Sequence, residues 1–399
     1  MTTTSTTLPK KESITNKYFM ALLIIFVVPL SGLSTDIFVP GLPDIKNFFD
    51  VSDSSVQLSI TSYIFGLGLM QLIAGSISDS FGRKKPFSLA TTTYLLVSFL
   101  IPHASSIEQV TGLRFLQGAM TAMMIVPMRS VISDLFSGKE FQKIMTYVAF
   151  SWTLGPVIAP FIGGYLVHYF GWQASFYFLF CYTLIVFTLI MINIPETTQN
   201  YHKFNVKSIV GQYTSILTNR DFTVSAVTNG LLYSIIILFI STSPFLLKNN
   251  LHFSSVEYGY LALALGASLS IGSLGNRYLM KYSLELRLKV GLAILTIVSL
   301  SFLIFGALFP LSTYLIMIPI SIIYMVIGML LTSNMTFALS LFPQMAGVSN
   351  GLFSAFIFIF TSFVSIISVY FESNGLLPLS LSIFILSLLI VSIQRLKIT

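Results

Sequence analysis

Two charged residues, Asp36 and Arg114, lie inside long apolar stretches of this sequence. A charge in hydrocarbon surroundings is costly, so an ionisable residue kept there is by default a candidate for function. A carboxyl group can take up and release a proton, and an arginine can pair with it or respond to its charge. We predict that Asp36 carries a proton and that Arg114 senses the proton or a ligand. The alternatives are that Asp36 is a helix-end acid near water and that Arg114 only anchors its helix.

The composition indicates a membrane protein. Of the 399 residues, 55% are hydrophobic and only 9% are charged, and the mean hydropathy is +0.86. So few charges could not cover the surface of a soluble protein of this size, in which about 25% of residues are charged. A soluble globular enzyme is therefore excluded. The single cysteine, Cys181, also excludes an intrachain disulfide and a cysteine-based zinc or iron–sulfur site.

Apolar runs of about 20 residues, long enough to cross a bilayer as helices, recur along the whole chain. The longest polar segment, 195–220, divides them into six and six. This pattern predicts an all-α polytopic membrane protein with twelve transmembrane helices. The predicted spans are 18–40, 55–78, 86–102, 107–130, 142–167, 172–194, 222–247, 256–280, 287–308, 311–334, 345–371 and 376–394.

Lysine and arginine concentrate in the cytoplasmic loops of membrane proteins. With the N-terminus inside, 18 of the 21 Lys and Arg residues fall in cytoplasmic segments, while Lys46 and Lys248 fall outside and Arg114 lies within a span. Both termini are therefore predicted to be cytoplasmic. This sidedness explains the net charge of +7, so no nucleic-acid partner is expected.

The two sets of six spans resemble copies of one unit. Shifting the chain by 197 residues places Gly75 on Gly272, between the second and third spans of each half. The predicted organisation is a cytoplasmic tail at 1–17, a six-helix half at 18–194, a cytoplasmic connector at 195–220, a second six-helix half at 221–395 and a cytoplasmic tail at 396–399.

The predicted topology places Asp36 and Arg114 at a similar depth. Helix one runs outward and is expected to end near Pro43, which puts Asp36 about 10 Å below that end. Helix four runs inward from near Ile107, so Arg114 lies about 10 Å in. Burial favours the neutral carboxyl group and a nearby arginine favours the carboxylate, so a change in access to the cavity could load and release a proton.

Several sequence patterns carry a family resemblance. The segment GSISDSFGRKK at 75–85 has the spacing Gly–x3–Asp–x2–Gly–Arg–Lys between the second and third spans. The other patterns are TDIFVPGLP at 35–43, RFLQG at 114–118, RSVISDLFS at 129–137, GPVIAPFIGG at 155–164 and PET at 195–197. With these segments the chain resembles the major facilitator superfamily, and most of all its Bcr/CflA branch of drug:proton antiporters.

The resemblance implies a cytoplasmic latch that consists of Gly75, Asp79, Gly82, Arg83 and Asp134. Asp79 would cap the N-terminus of helix eleven near 343–347, and Arg83 would pair with Asp134. These contacts would hold the cytoplasmic side shut in the outward-open state. The second half carries Asn276 in place of the acid, so the latch is expected to be asymmetric.

The glycine and proline residues of helix five form a further part of the resemblance. The antiporter pattern of exporters would kink and thin helix five, so that it packs closely at the interface between the halves. Its residues are Gly155, Pro156, Pro160, Gly163 and Gly164. The candidate cavity residues, which could equally face lipid or pack between helices, are Tyr63, Phe65, Tyr147, Trp152, Tyr233 and Asn334.

The function predicted from these features is proton-coupled export of small organic molecules, including drugs, by alternating access. No GxxxxGK[ST] loop is present for ATP, and scattered acids argue against a membrane enzyme. The protein is expected to be a monomer among the lipids of a bacterial inner membrane, driven by the proton gradient without cofactor or metal. The alternative is a carrier dedicated to one solute, such as a siderophore or metabolite, for export or uptake.

Overall fold

The computed structural model describes residues 14–198, 201, 204–309, 312–369 and 375–398, which are mostly helical and include no β-strand. Most of the predicted 1–17 tail, part of the 195–220 connector and the final residue of the 396–399 tail lie outside the described residues. The α-helices are α1 (Ile14–Val27), α2 (Leu30–Asp36), α3 (Leu42–Phe49), α4 (Asp53–Phe81), α5 (Lys84–Leu100), α6 (Ile107–Leu135), α7 (Gly138–Phe170), α8 (Gln173–Asn193), α9 (Val206–Leu217), α10 (Arg220–Phe245), α11 (Ser255–Leu279), α12 (Leu284–Leu308), α13 (Thr313–Ser340), α14 (Ala346–Val369) and α15 (Leu376–Ile398).

Within the described residues, 11 helical segments are long and apolar enough to cross a membrane. The first of them, Lys17–Phe49, combines α1, α2 and α3, and the other ten correspond to single predicted spans. The predicted span 86–102 corresponds to α5, which has 17 residues and therefore rises only about 25 Å. The prediction of an all-α membrane protein is confirmed, whereas the twelfth span stays a prediction.

Helix one is interrupted at Asp36. Helix α2 ends at that residue, a 3₁₀ turn follows at Val39–Gly41, and α3 continues to Phe49. Pro40 explains the break, because its ring lacks an N–H and clashes with the carbonyl four residues earlier, which belongs to Asp36. The prediction that helix one ends near Pro43 is wrong, since Pro43 lies inside α3. Asp36 therefore stands at the end of a helix and not within one.

A second proline, Pro29, separates α1 from α2. Its missing N–H leaves the carbonyl of Ile25 without a helical donor, and the Ser151 hydroxyl of α7 donates to that oxygen at 2.6 Å. The carbonyl of Phe26 accepts from the Tyr182 hydroxyl of α8, also at 2.6 Å. Side chains of neighbouring helices thus satisfy the broken backbone, as a membrane interior requires.

The first half, α1–α8, meets the second half, α10–α15, where α4 packs on α14 and α7 packs on α11. We call the end of the molecule at the 195–220 segment the connector end and the opposite end the distal end. At the distal end, a Cβ on Gly164 of α7 would lie 2.4 Å from the Ser255 carbonyl oxygen of α11. Toward the connector end, the Asp79 side chain of α4 is 47% exposed, and Gln344 and Gly347 next to the start of α14 are also exposed. The halves are therefore closed at the distal end and separated at the connector end.

Helix α9 lies at the connector end and contacts both halves. Its Ile216 is buried in an apolar cluster with Phe222 of α10 and Phe353 of α14. The hydroxyl group of Tyr213 donates a hydrogen bond to the carbonyl of Leu72 in α4. This helix of the connector therefore packs against both halves.

Candidate functional site

Asp36 is a buried carboxylate that forms no salt bridge among the described residues. It lies at the C-terminal end of α2 with 2% of its surface exposed. Among the described residues, its Oδ1 atom has no hydrogen-bond partner, and its carboxylate takes part in none of the salt bridges. A buried carboxylate without a partner is costly unless it is neutralised. The site can therefore take up a proton or a cationic group.

Arg114 is fully buried in α6 and is held by aromatic rings. Its guanidinium carbon lies 4.4 Å from the centre of the Phe38 ring and 4.3 Å from that of Tyr63. Such placement over ring faces is a favourable cation–π contact. Arg114 Nη1 donates to Gln117 Oε1 at 2.5 Å, and Gln117 in turn donates to the Ser98 hydroxyl at 2.8 Å.

Asp36 and Arg114 are neighbours without forming an ion pair. They are close enough to interact electrostatically, yet no salt bridge joins them in the described structure. Nε and Nη2 of Arg114 likewise have no hydrogen-bond partner among the described residues. Oδ1 of Asp36 and these two nitrogen atoms of Arg114 are therefore available to a proton or a ligand.

The predicted cavity residues divide into those near this site and those away from it. Tyr63 is buried, and its hydroxyl donates to the Ser31 carbonyl or to Thr121 Oγ1, both at 3.2 Å. Tyr233 interacts electrostatically with Asp36, and its ring lies edge-on to Phe358 at 5.9 Å. Asn334 is buried and neither atom of its amide has a partner among the described residues, which makes it a free polar group in the second half.

The remaining three candidates lie elsewhere. Phe65 contacts Phe363 across the halves, with ring centres 6.2 Å apart, so it takes part in packing. Tyr147 is half exposed and lines an apolar surface groove between α1 and α7. Trp152 is 37% exposed. The contacts of Phe65 and Tyr147 described here do not include Asp36, and a role of the three residues in a cavity stays a prediction.

Sequence analysis did not select two buried tyrosines of the second half, Tyr258 and Tyr324, which also interact electrostatically with Asp36. The Tyr258 hydroxyl shares a hydrogen bond with Ser243 Oγ at 3.1 Å, and the Tyr324 hydroxyl donates to the Ile236 carbonyl at 3.3 Å. Together with Tyr233 they place three phenols of one half opposite a carboxylate of the other. A tyrosine on the same apolar helix face as other polar residues is the signal that could have identified them.

The residues of the predicted latch are assembled at the connector end. Arg83 pairs with Asp79, and its Nε lies 3.3 Å from Asp134 Oδ2. The described residues Pro343, Gln344 and Gly347, near the start of α14, are exposed. The expected contact of Asp79 with this helix terminus is therefore not made, because the halves are apart at this end.

Glu196, which sequence analysis noted only as part of a motif, caps the start of α5. Its two carboxylate oxygens accept from the backbone N–H groups of Arg83 at 2.9 Å and Lys84 at 3.0 Å. Gly82 has a φ of +88°, and a Cβ there would lie 2.6 Å from Glu196 Oε2. Partial burial opposes ionisation, but the N–H donors of Arg83, Thr198 and Lys84 outweigh it and lower the pKa of Glu196 to about 2.

Helix α7 uses its small residues against two different neighbours. A Cβ on Gly155 would lie 2.6 Å from the Pro29 carbonyl oxygen, and one on Gly163 would lie 1.8 Å from that of Ile37. Both contacts are within the first half. Gly164 packs on Ser255 of α11, and the Pro160 carbonyl lies against Gly259 of α11.

The remaining proline of the pattern, Pro156, packs on Gly32 of α2, and α7 continues as one helix through both prolines. The pattern therefore joins helix one to the interface between the halves, whereas the prediction concerned only that interface.

Comparison with known proteins decides the family. The model of the Major Facilitator Superfamily matches residues 24–365 of the chain. The chain belongs to the major facilitator superfamily. Members of this superfamily are transporters and not enzymes, so the family prediction and the exclusion of an enzyme agree with this finding.

Curated relatives of this superfamily member include proteins named for drug resistance. A bicyclomycin resistance protein homologue of Haemophilus influenzae is 27% identical over 343 residues, which cover 84% of each chain. An uncharacterised transporter of the superfamily from Bacillus subtilis, YdgK, is 28% identical over 87% of each chain. The multidrug transporter MdfA of Edwardsiella ictaluri is 28% identical over 61% of this chain and 59% of its own.

Solved structures of the superfamily share the fold across almost the whole chain. A bacterial homologue of the human lysosomal transporter Spinster, in an inward-facing and unoccupied conformation, has a TM-score of 0.75 at 15% identity and covers 96% of both chains. The nucleoside transporter NupG has a TM-score of 0.71 at 15% identity, with 95% of this chain and 98% of NupG covered. These similarities establish the superfamily fold.

Proposed function

We propose that this protein exports small organic molecules in exchange for protons. The observation that carries the proposal is the buried Asp36 carboxylate, which has no salt bridge within the described residues although Arg114 lies nearby. An acid that pairs permanently with an arginine has little reason to exchange a proton. An acid left free in a buried site can bind either a proton or a cationic group of the substrate.

The proposal includes the membrane topology predicted from the charges. In it, α5 is a twelfth span, the termini and the connector are cytoplasmic, and the chain is a monomer in a bacterial inner membrane. The 3₁₀ turn at Ile101–His103, which lengthens the helical segment of α5 at its distal end, supports the twelfth span. The connector end then faces the cytoplasm and the distal end faces the periplasm.

The proposed transport cycle starts from the conformation in which the distal end is closed and the connector end is open. In the conformation described here, a cytoplasmic substrate reaches Asp36 from the connector end and replaces its proton. The halves then rock, Asp79 reaches the N-terminus of α14, and the distal end opens. A proton from outside reoccupies Asp36 as the substrate leaves, and Arg114 favours the charged carboxylate while the substrate is bound. No cofactor or metal is required in this cycle.

The drug-resistance relatives favour export of toxic compounds over a dedicated carrier. Growth of a drug-sensitive bacterial host in the presence of several unrelated toxic cations and neutral drugs tests this choice. Expression of the protein is expected to protect against more than one chemical class. Protection against none of the compounds would favour a carrier dedicated to one solute.

Proton coupling is tested in inside-out vesicles with an imposed proton gradient, using a compound to which the protein confers resistance. Uptake into the vesicles is expected to depend on the gradient and to fall at least tenfold in Asp36→Asn. Asp50→Asn, which changes an exposed acid at the distal end, is the matched control and should leave uptake unchanged. Gradient-independent uptake, or normal uptake by Asp36→Asn, would rule out the assignment.

A further inference from the structure

An ion pair connects the two halves at the distal end. Lys248 Nζ lies 2.8 Å from each carboxylate oxygen of Asp44. Asp44 is in the first turn of α3, and Lys248 is in the π-helical turn Leu246–Asn250 that follows α10. The other four salt bridges of the described residues each lie within one half. This pair is thus a charged contact that depends on how the halves are placed.

A second set of contacts supports the pair. Lys248 Nζ also donates to Ser255 Oγ at 3.3 Å, and the same hydroxyl lies 3.5 Å from the Pro40 carbonyl. Ser255 is buried, and its carbonyl is the atom against which Gly164 packs. Lys248 therefore stands where α3, α7 and α11 meet, and it can keep these contacts only while the distal end is closed.

The geometry points to a role for this pair that the site around Asp36 does not supply. We propose that the Asp44–Lys248 pair keeps the two halves closed at the distal end and breaks each time that end opens. The inference rests on alternating access, which is part of the proposed function. The side chains of Asp44 and Lys248 are 39% and 27% exposed, so water and salt weaken the attraction. The pair therefore biases the conformational equilibrium and does not fix it.

The expected size of the bias follows from partly exposed ion pairs in general. Removing one partner should increase the population with an open distal side by about two- to fivefold. Larger effects would require a buried pair, and no effect would mean that the pair forms without influencing the halves. The conformational equilibrium, and not transport alone, is therefore the quantity to measure.

Labelling of one engineered cysteine measures that equilibrium. The only native cysteine, Cys181, is exposed and is first replaced by Ser. Val39→Cys then serves as the reporter, because Val39 is 0% exposed and lies in the 3₁₀ turn that packs against α10 and α11. A membrane-impermeant maleimide added to intact cells reaches this thiol only when the distal side opens.

A set of variants distinguishes the effect of the ion pair on the labelling rate from a general loss of stability. Asp44→Asn and Lys248→Gln should each label about two to five times faster, and the charge exchange Asp44→Lys with Lys248→Asp should return the rate toward that of the reporter alone. Lys46→Gln is the matched control, because it removes a distal ion pair with Asp53 that lies within the first half. It should leave the rate unchanged.

Several outcomes would overturn the inference. They are equal labelling in all variants, equal acceleration by Lys46→Gln, and a charge exchange that labels as fast as the single variants. Lys248→Arg keeps the charge and should label slowly, which covers the case in which Lys248→Gln does not fold. Labelling requires neither substrate nor proton gradient. Gradient-independent uptake together with the expected labelling pattern would therefore reject proton coupling and leave this inference standing. Gradient-driven uptake together with equal labelling in all variants would remove this inference alone.

Discussion

The guanidinium carbon of Arg114 lies 4.4 Å from the centre of the Phe38 ring. Asp36 lies two residues before Phe38 in the chain, and its carboxylate forms no salt bridge among the described residues. The ring of Tyr63 covers the guanidinium at 4.3 Å. The aromatic residues thus hold the positive charge beside the acid and keep the two groups from pairing directly. This separation leaves the acid available to a proton or a substrate.

The first prediction concerns the shape of the cation. Arg114→Lys keeps the charge but loses the planar group that stacks between two rings and donates to Gln117. We expect gradient-driven uptake into inside-out vesicles to fall about tenfold or more, which corresponds to a loss of at least about 1.4 kcal/mol. Arg277→Lys, at an exposed position of α11, is the control. Full activity of Arg114→Lys would show that only the charge matters.

The second prediction concerns the break at Pro29. Ser151→Ala removes the donor to the Ile25 carbonyl, and we expect it to lower the stability by about 1 kcal/mol. Pro29→Ala would restore a backbone N–H that can bond the same carbonyl. In the double variant, the loss caused by Ser151→Ala should therefore disappear. Thermal unfolding of the purified proteins in detergent measures these changes in stability. The prediction would be contradicted if Ser151→Ala lowered the stability equally in the unchanged protein and in Pro29→Ala.

The third prediction distinguishes two adjacent glycines of α7. Gly163→Ala would place a Cβ 1.8 Å from the Ile37 carbonyl within the first half, so it should lower the melting temperature. Gly164→Ala would meet the Ser255 carbonyl of the other half at 2.4 Å, so it should accelerate labelling of the Val39→Cys reporter.

The control for these glycines is Gly211→Ala in α9. A Cβ at this position would meet no atom within 4 Å, and helix propensity should stabilise the protein by up to about 1 kcal/mol. Identical behaviour of the two α7 variants would show that the helix does not divide its contacts between the halves.

The fourth prediction is a pH dependence of stability. The pKa of Glu196 is lowered to about 2 by backbone N–H donors, so its contribution is fully present above the unfolded value of about 4.3. It is lost as the pH falls through the folded value. Glu196→Gln should therefore cost about 1 kcal/mol at pH 7, as the loss of a helix cap does. The difference from the unchanged protein should shrink between pH 4 and pH 2.

Melting curves of both proteins across this range measure the dependence on Glu196. Glu285→Gln removes an exposed acid of an i,i+4 pair and serves as the control, with a small effect at every pH. A constant difference between Glu196→Gln and the unchanged protein would mean that the side-chain shape, and not its charge, caps α5.

The sequence was sufficient to predict the membrane class, the family and the position of most spans, because hydropathy and motif spacing are local properties. The end of helix one was predicted wrongly because Pro43 was read as its end, whereas Pro40 interrupts the helix earlier and α3 continues it to Phe49. Contacts between helices could not be predicted from these local properties. The placement of Phe38 and Tyr63 on Arg114 depends on how helix one and α4 each pack on α6, and no spacing in the chain encodes that packing.

The same limit explains the cavity candidates. Tyr147 and Tyr233 both lie in apolar helices, yet only Tyr233 interacts with Asp36, whereas Tyr147 is half exposed. A helical period identifies the faces of a helix but not the neighbour that each face meets. Tyr258 and Tyr324 were missed for the same reason, since they lie near Asp36 in space but belong to the other half.

Helix α9 has a mechanical consequence for the opening at the connector end. Its 12 residues form a rigid rod about 18 Å long. Its Tyr213 donates a hydrogen bond to Leu72 in the first half, and its Ile216 is buried against the second half. A wider separation of the halves at this end would therefore have to break this hydrogen bond or expose Ile216.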